Sequence, residues 1–300
     1  MKEYDDGLIL KGIGGFYEVE TPDGVFECRA RGLFRKMGIT PLAGDHAKLL
    51  VSPDGTGAVE EILPRRNVLV RPPVANIDQL VIVVSTCEPS PNAPVIDRTI
   101  AEAEAAGIEP VLVVSKMDLK SGDALSGAYG KTGLPLFQVS PFEEEGTAGL
   151  RALLPGKVTA FTGNSGVGKS TLLNRMFDGF RQQTGEISRK LGRGRHTTRC
   201  VELLKLREGG YVIDTPGFSS LDPEFSGALT AENLAECFRE FRPYLGRCRF
   251  TSCTHTCEKG CAVLEAVREG KISPSRHESY VKIYREMKEK KAWQRKEKSV

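Results

Sequence analysis

The sequence predicts a multidomain α/β protein, because three regions of the chain differ in pattern. Residues 1–70 contain short alternating stretches of apolar and polar residues between turn signals, which is typical of a small β-barrel. Residues 72–220 alternate apolar runs with helical patterns, which is typical of a parallel sheet covered by helices. From about residue 230 onward, a cysteine cluster is followed by helical patterns.

Composition limits the classes of protein to consider. The chain has 300 residues with 40% hydrophobic content, enough for about two or three domains with real cores. No apolar run approaches the ~20 residues that span a bilayer, and the first six residues lack the apolar segment of a signal peptide. We therefore expect a cytoplasmic monomer without a membrane partner, in which the eight cysteines stay reduced.

The first region predicts a barrel of about five strands over residues 1–70. Alternating stretches cover Phe16–Glu20 and Val25–Arg29, with turn signals at 22–24 and 53–55. One interpretation is a barrel of the oligonucleotide-binding type, in which RNA phosphates contact Arg29, Arg31, Arg35 and Lys36. The alternative is a barrel that serves only as a spacer or packing partner.

The middle region predicts a layered α/β domain over residues 71–225. Its apolar runs are those expected of parallel strands buried on both faces: Leu80–Val84, Val111–Val114, Lys157–Phe161 and Tyr211–Ile213. Three of these runs end directly in a polar motif, at Ser115, Thr162 and Asp214. Open α/β sheets bind their ligands at the carboxyl ends of parallel strands, so these motifs indicate a binding site.

The motif after Thr162 predicts a phosphate-binding loop. It follows the pattern Gly-x4-Gly-Lys-Ser and consists of Gly163, Asn164, Ser165, Gly166, Val167, Gly168, Lys169, Ser170 and Thr171. The glycines allow successive N–H groups to face a phosphate. Lys169 is predicted to neutralise the β and γ oxygens during binding and catalysis, and the Ser170 hydroxyl to bind Mg²⁺.

The motif that follows the run Val111–Val114 predicts a guanine-binding loop. This guanine loop consists of Ser115, Lys116, Met117 and Asp118. The Asp118 carboxylate can accept both N1–H and the exocyclic amine of guanine, whereas adenine offers no matching pair of donors. Lys116 is expected to lay its stem along the base, next to Met117, and Ser140 is a second candidate base contact. Ser115 stands where Asn is usual, and the loss of the amide that normally ties this loop to the phosphate loop predicts weaker nucleotide binding.

The order of the motifs predicts a circularly permuted GTPase domain. Ordinary GTPases carry the phosphate loop first, Asp-x-x-Gly second and Asn-Lys-x-Asp last, whereas this chain has Asp118, then Lys169, then Asp214 and Gly217. Permutation is tolerated because the termini of compact domains lie at the surface and often close together. Asp214 is expected to hold Mg²⁺ through water, and the Gly217 N–H to meet the γ-phosphate.

Catalysis is less well specified by these motifs. Many GTPases place Gln directly after the glycine of Asp-x-x-Gly, but this chain has Phe218, which predicts slow intrinsic hydrolysis. His196 is the best candidate in the chain for positioning the attacking water, and the alternative is a surface histidine without a catalytic task. Thr197 or Thr198 is expected to close on Mg²⁺ when the γ-phosphate is present. The surrounding segment, 181–199, is rich in arginine.

The third region, 226–300, predicts a helical zinc-binding domain with a basic tail. Cys248, Cys253, His255 and Cys261 supply three thiolates and an imidazole, a set suited to one structural tetrahedral Zn²⁺. Cys257 is a fifth candidate ligand, and free buried thiols are the alternative to a metal site. Residues 282–298 hold eight lysines and arginines against three glutamates. This excess of positive charge is expected either of a patch that faces RNA or of a solvated helix face.

Taken in order, the motifs resemble those of the ribosome small-subunit-dependent GTPase A family, RsgA, also called YjeQ. The resemblance covers essentially the whole chain and implies a bacterial cytoplasmic GTPase that binds the small ribosomal subunit late in maturation, contacts 16S rRNA and is stimulated by the subunit. It also implies that His255 rather than Cys257 completes the zinc site, and that His196 acts in catalysis. Ser115 and Cys257 depart from the family pattern.

These features favour a GTPase whose hydrolysis times its release from RNA, with other assembly factors as further candidate partners. The main alternative is a GTP-sensing RNA-binding module in which hydrolysis is incidental, an interpretation that Phe218 supports. A metabolic P-loop kinase or ATPase is a more distant alternative. Substitution of Asp118 separates it from the other two, because an ATP enzyme does not depend on that carboxylate.

Overall fold

The structure of the chain is a computed structural model. It describes residues 1–32, 34, 37–70, 72–140, 145–177, 201–214 and 225–297. Two of the predicted barrel phosphate contacts, Arg35 and Lys36, lie outside the described residues. Within those ranges, none of the helices has the length and apolar character needed to cross a membrane.

The N-terminal region is a closed five-stranded barrel, as predicted. Each strand pairs with two others in the closed order β1-β2-β3-β5-β4-β1. Of these barrel pairings, the one between β3 and β5 is parallel and the others are antiparallel. The buried interior includes Ile9, Val19, Leu49 and Val59, which explains the alternating sequence pattern. This architecture is the oligonucleotide-binding type of barrel. Its strands are β1 (Lys2–Ile13), β2 (Phe16–Thr21), β3 (Gly24–Ala30), β4 (His46–Val51) and β5 (Gly57–Ile62).

A mostly parallel sheet forms the middle domain, also as predicted. A short hairpin, β6 (Val68–Val70) and β7 (Pro73–Ala75), precedes it. The sheet strands are β8 (Gln79–Ser85), β9 (Glu109–Ser115), β10 (Leu136–Gln138), β11 (Val158–Thr162), β12 (Glu202–Lys205) and β13 (Tyr211–Asp214). They lie in the order β10-β9-β8-β11-β13-β12. Neighbouring strands in this order are parallel, except that β12 is antiparallel to β13.

Helices cover the sheet and account for its continuous apolar runs. Every residue of β8 and β11 is buried, because these central strands have packing partners on both faces. The helices of this domain are α1 (Ala93–Ala105), α2 (Asp123–Tyr129), α3 (Glu145–Arg151) and α4 (Lys169–Met176).

The barrel and the sheet are joined edge to edge. Strand β1 also pairs antiparallel with β12, at Lys11 and Glu202, so that both belong to one eleven-stranded sheet. The Glu20 carboxylate of the barrel accepts hydrogen bonds from the Tyr211 hydroxyl and, at 2.6 Å, from the Lys205 ammonium. Burial alone raises the pKa of Glu20, but these two donors outweigh it and lower that pKa. Glu20 therefore connects the barrel to both strands of the β12–β13 hairpin.

The C-terminal region is helical and has its own aromatic core. It contains two 3₁₀ helices (Leu234–Cys237 and Arg239–Tyr244), followed by α5 (Ala262–Arg268) and α6 (Pro274–Glu297). The Tyr280 ring packs edge-on against Phe238, at 5.3 Å between centroids, and contacts Phe241 at 5.0 Å.

A buried ion network joins this region to the sheet domain. Arg276 of α6, which is 1% exposed, donates to Glu240 at 2.7 Å and to Asp97 of α1 at 2.6 Å. The Tyr129 hydroxyl of α2 also donates to Asp97, at 2.7 Å. Removing one partner from such a buried ion pair typically costs about 3–5 kcal/mol, because it leaves an uncompensated charge. The network therefore strongly favours a single docking arrangement of the C-terminal region on α1.

Candidate nucleotide site and metal-ligating cluster

The parallel strand register brings the nucleotide motifs to one edge of the sheet. Strand β8 pairs Ser85 with Ser115 of β9, and it pairs Ile82 with Thr162 of β11. The guanine loop and the phosphate loop therefore leave the sheet side by side at its carboxyl edge, where α/β proteins bind ligands.

The phosphate loop has a backbone that only glycine adopts readily. Gly163, Gly166 and Gly168 have φ angles of +152°, +83° and +94°. A Cβ atom added at Gly163 would lie 2.4 Å from the Val83 carbonyl oxygen, so the loop passes directly over β8. Helix α4 begins at Lys169, and the N–H groups of its first turn have no intrahelical acceptor. This combination of curved backbone and helix N-terminus is suited to a phosphate group.

The loop is held in place by the buried face of α4. Leu172, Leu173 and Met176 pack into the core on one side of the sheet, while Ser170 and Thr171 remain exposed. Burial lowers the pKa of Lys169, because it removes solvation from the ammonium group. An anionic phosphate beside Lys169 would compensate for that lost solvation and stabilise the charged form.

The guanine loop is connected to the phosphate loop through the Ser115 hydroxyl. Ser115 is buried, and its Oγ lies 2.6 Å from the Val167 carbonyl oxygen and 3.0 Å from that of Val84. Its single proton can be donated to one of these carbonyls at a time, and the shorter contact is to the phosphate loop. A contact between the two loops is thus made by a hydroxyl instead of an amide. The weaker nucleotide binding expected from Ser in place of Asn stays a prediction.

The segment after β8 supports the guanine loop, a role that the motif analysis missed. Thr86 donates its side-chain hydroxyl to the Lys116 carbonyl at 2.9 Å, and its backbone N–H donates to the Ser115 carbonyl at 3.1 Å. Lys116 has a left-handed φ of +60°, and its ammonium donates to the Glu88 carbonyl. The sequence carries a signal for this role: the polar residues Ser85 and Thr86 end the apolar run of β8, at the same sheet edge as the motifs.

The structure also brings the two predicted base-contacting segments together. The Met117 N–H donates to the Val139 carbonyl at 3.5 Å, so the guanine loop lies beside the end of β10, where Ser140 is buried. Asp118 is exposed at the surface of this loop. The carboxylate is therefore accessible to a base that approaches from solvent.

Helix α1 begins next to the phosphate loop. Its N-cap residue, Asn92, and Val95 line a cavity of about 130 Å³, together with Gly163, Asn164 and Val167 of the phosphate loop. The same helix carries Asp97, which binds Arg276 of the C-terminal region. One helix thus contacts both the surroundings of the nucleotide site and the C-terminal region.

Several predicted residues lie outside the described part of the chain. They are His196, Thr197, Thr198, Gly217 and Phe218, together with the arginine-rich segment 181–199. Asp214 is described through its backbone, as the last residue of β13, in register with Glu202. The roles assigned to all these residues stay predictions.

The four predicted metal ligands lie close together. Cys248, Cys253, His255 and Cys261 each offer one ligand atom, and these four atoms all lie within 4.8 Å of one another. The His255 Nδ1 atom is 3.5 Å from the Cys248 sulfur and 3.4 Å from the Cys261 sulfur. Bonds of about 2.0–2.3 Å in a tetrahedron give ligand separations of about 3.4–3.8 Å, so the donor set fits a tetrahedral ion. Cys257 is exposed and does not belong to the cluster.

Hydrogen bonds around the cluster fix its loop. The Ala262 N–H donates to the Cys248 sulfur at 3.3 Å, and the His277 ring Nε2 donates to the His255 carbonyl at 2.8 Å. Burial raises the pKa of Glu258, but donors from Thr254 and from backbone N–H groups reverse this effect and lower it to about 2. The carboxylate is thus an ionised acceptor inside the loop. Such outer contacts orient metal ligands in known sites.

The Ser115 contact generates a prediction about nucleotide affinity. Replacing Ser115 with Ala removes a buried hydrogen bond, typically worth about 1 kcal/mol, so we expect the dissociation constants for GTP and GDP to rise about fivefold to tenfold. Ser115→Thr keeps the hydroxyl and should bind more tightly than the alanine variant. The measurement is nucleotide titration by calorimetry.

A matched control for this experiment is Ser121→Ala, because the exposed Ser121 hydroxyl accepts, among the described residues, a single bond from the nearby Asp123 N–H, at 3.2 Å. This variant should bind like the parent chain. Wild-type affinity in Ser115→Ala would show that the contact between the loops does not support nucleotide binding.

Comparison with known proteins places the whole chain in one family. The model of the RsgA GTPase family matches residues 62–224, and that of the RsgA N-terminal domain matches residues 6–59. The small ribosomal subunit biogenesis GTPase RsgA of Caldanaerobacter subterraneus is 47% identical over 95% of this chain and 96% of the relative. The protein of the same name from Alkaliphilus metalliredigens is 42% identical over 96% and 99%.

Solved structures agree in fold. YjeQ from Thermotoga maritima superposes with a TM-score of 0.81 at 34% identity, covering 95% of this chain and 99% of that one. YloQ, described as a circularly permuted GTPase, gives 0.78 at 33% identity, with coverage of 95% and 96%. Since both family models match and the relatives align along nearly the entire length, the chain belongs to the RsgA family of circularly permuted GTPases.

Proposed function

We propose that this GTPase acts in late maturation of the small ribosomal subunit, binding the subunit and its 16S rRNA in the cytoplasm and hydrolysing GTP slowly until the subunit stimulates it. The observation that carries the proposal is the full-length similarity to relatives named small ribosomal subunit biogenesis GTPase RsgA. That similarity includes the barrel and the C-terminal region as well as the GTPase domain, so it extends to the parts that would contact RNA.

In the proposed GTP complex, each loop has a distinct task. Asp118 accepts the guanine N1–H and amine, and Ser140 makes the second base contact. The phosphate loop and Lys169 bind the β and γ phosphates. Ser170, Asp214 and Thr197 or Thr198 would hold Mg²⁺, which would neutralise charge on the phosphates. Gly217 is assigned to the γ-phosphate through its N–H.

Slow intrinsic hydrolysis follows from the residue after Gly217. Phe218 has no group that can orient the attacking water, so that task passes to His196 or to a group of the bound subunit. Binding of the subunit would complete the site, in the way that partner proteins complete other GTPases. This dependence would confine hydrolysis to the assembled complex.

For the cysteine and histidine cluster we propose one structural zinc ion, bound by Cys248, Cys253, His255 and Cys261. Three sulfurs and one nitrogen match the preference of Zn²⁺, and four protein ligands leave no open position for catalysis. The ion would close the loop that connects the 3₁₀ helices to α5.

The structure supports a route by which the nucleotide state would affect RNA binding. The β12–β13 hairpin begins after the segment containing Thr197 and Thr198 and ends before the segment containing Gly217. The barrel is bonded to both strands of this hairpin through β1 and Glu20. A rearrangement of either segment after hydrolysis would therefore act on the barrel directly, and release from RNA would follow.

A GTP-sensing RNA-binding module is the second candidate function, favoured by Phe218. The two candidates differ in what the subunit does to turnover: an enzyme that needs its partner accelerates, whereas a sensor does not. They share the nucleotide site and the RNA-binding surfaces.

Turnover assays test the proposal. We expect GTP hydrolysis by the full-length, zinc-loaded protein to rise at least about tenfold when saturating small ribosomal subunits are added, because the partner completes the catalytic site. ATP should not be hydrolysed under either condition. Asp118→Asn should lose GTP affinity, because the amide cannot accept both guanine donors.

Equal slow rates with and without subunits would favour the sensor. ATP turnover that Asp118→Asn leaves unchanged would contradict the guanine assignment and support the distant ATPase alternative.

Metal analysis tests the zinc proposal. We expect about one zinc ion per chain in the purified protein, and loss of that ion in Cys248→Ser and Cys261→Ser. Since the ion would stabilise the C-terminal region, these variants should melt roughly 5–10 °C lower. Cys257→Ser is the matched control, because this exposed cysteine lies outside the cluster. Zinc loss in Cys257→Ser, or full zinc content in Cys248→Ser, would show that the ligand set is wrong.

A further inference from the structure

Two exposed aromatic rings in the described part of the chain each carry an arginine guanidinium over one face. Phe250 is 49% exposed, and the Arg249 guanidinium lies 5.5 Å from its ring centroid. Phe16 of the barrel is 39% exposed and has Arg29 at 4.5 Å. An exposed ring and a guanidinium both offer flat surfaces on which an unpaired base can stack.

The surroundings of these two pairs differ in charge. On β2 and β3, Phe16 is in register with Arg29, and the next pair on the same face is Glu18 with Glu27. Two carboxylates beside the ring disfavour an RNA backbone. We therefore do not assign an RNA site to the Phe16 pair.

The Phe250 pair lies in a positively charged surface. Arg247, Arg249 and Lys259 are exposed, and no carboxylate of the described residues forms an ion pair with any of them. The acidic residue of the same loop, Glu258, accepts hydrogen bonds from within it, at 2.8 Å from the Thr254 N–H and 3.0 Å from the Thr256 N–H. The loop thus carries one exposed ring and three exposed cations that have no ion-pair partner among the described residues.

The position of Arg249 is fixed by the metal-ligating loop. Its N–H donates to the Gly260 carbonyl at 2.9 Å, and its stem lies over Gly260, where an added Cβ would be 3.0 Å from the Arg249 Cβ. Arg249 and Gly260 directly adjoin Cys248 and Cys261, whose sulfurs are 3.9 Å apart. The platform is therefore held by the same contacts that close the cluster, which lowers the cost of ordering it on binding.

We propose that Phe250 and Arg249 form a stacking platform for one unpaired RNA base, and that Arg247 and Lys259 contact the neighbouring phosphates. The inference rests on the proposed function, which makes ribosomal RNA the partner. It adds the kind of RNA that the C-terminal region recognises: a single-stranded segment or a splayed base, since bases in a continuous duplex have no free face.

Binding experiments with the full-length, zinc-loaded protein test the platform. Phe250→Leu keeps an apolar side chain but removes the ring, and we expect about tenfold weaker binding both to small ribosomal subunits and to a single-stranded RNA of about 12 nucleotides. Binding to a duplex of the same sequence should not change. Arg247→Ala and Lys259→Ala should each reduce the slope of log affinity against log salt by about 1, whereas Phe250→Leu should leave that slope unchanged.

Arg268→Ala is the matched control, because Arg268 is an exposed arginine of the same region that is ion-paired with Glu265. It should bind both RNA and subunits like the parent chain. Melting temperature and metal content of each variant show whether the loop still folds.

Three outcomes would overturn the platform. The first is wild-type affinity of Phe250→Leu for both ligands, under conditions in which the parent chain binds them. A loss confined to whole subunits, with RNA binding intact, would mean that Phe250 contacts a ribosomal protein. If the parent chain bound neither subunits nor RNA, the proposed function itself would fail, and the platform with it.

Discussion

Parallel pairing of β8 with β9 and β11 is the constraint on which the nucleotide site depends. It places Ser115 and Thr162, the residues at which the guanine and phosphate loops begin, at one edge of the sheet. The loops are separated by about fifty residues of chain, yet the Ser115 hydroxyl donates to the Val167 carbonyl at 2.6 Å. Circular permutation preserves this arrangement, because strand register rather than chain order determines which loops meet.

The regions on either side of the GTPase domain attach to elements that border this site. The barrel pairs with β12 through β1 and bonds to the β12–β13 hairpin through Glu20. The C-terminal region docks on α1 through Arg276 and Asp97, and α1 begins beside the phosphate loop. Both proposed RNA-binding regions therefore contact elements that adjoin the phosphate loop or the end of β13.

The sequence predicted what depends on local pattern. The apolar runs located the central strands, and the phosphate loop was recognisable from its glycines and Lys169. The cysteine cluster indicated a metal site, and the family resemblance selected His255 over Cys257 for the ligand set that the structure brings together. Contacts between distant segments could not be predicted. The Ser115 bond to Val167, the support of the guanine loop by Thr86 and the burial of Arg276 all depend on tertiary packing, which no single stretch of sequence encodes.

Release timed by hydrolysis requires the subunit to bind the GTP form and the GDP form with different affinities, because a nucleotide without differential affinity shifts no equilibrium. The most direct measurement is the dissociation constant for small ribosomal subunits in the presence of a non-hydrolysable GTP analogue and of GDP. We expect binding at least about tenfold tighter with the analogue, which corresponds to about 1.4 kcal/mol. Equal dissociation constants would contradict timed release.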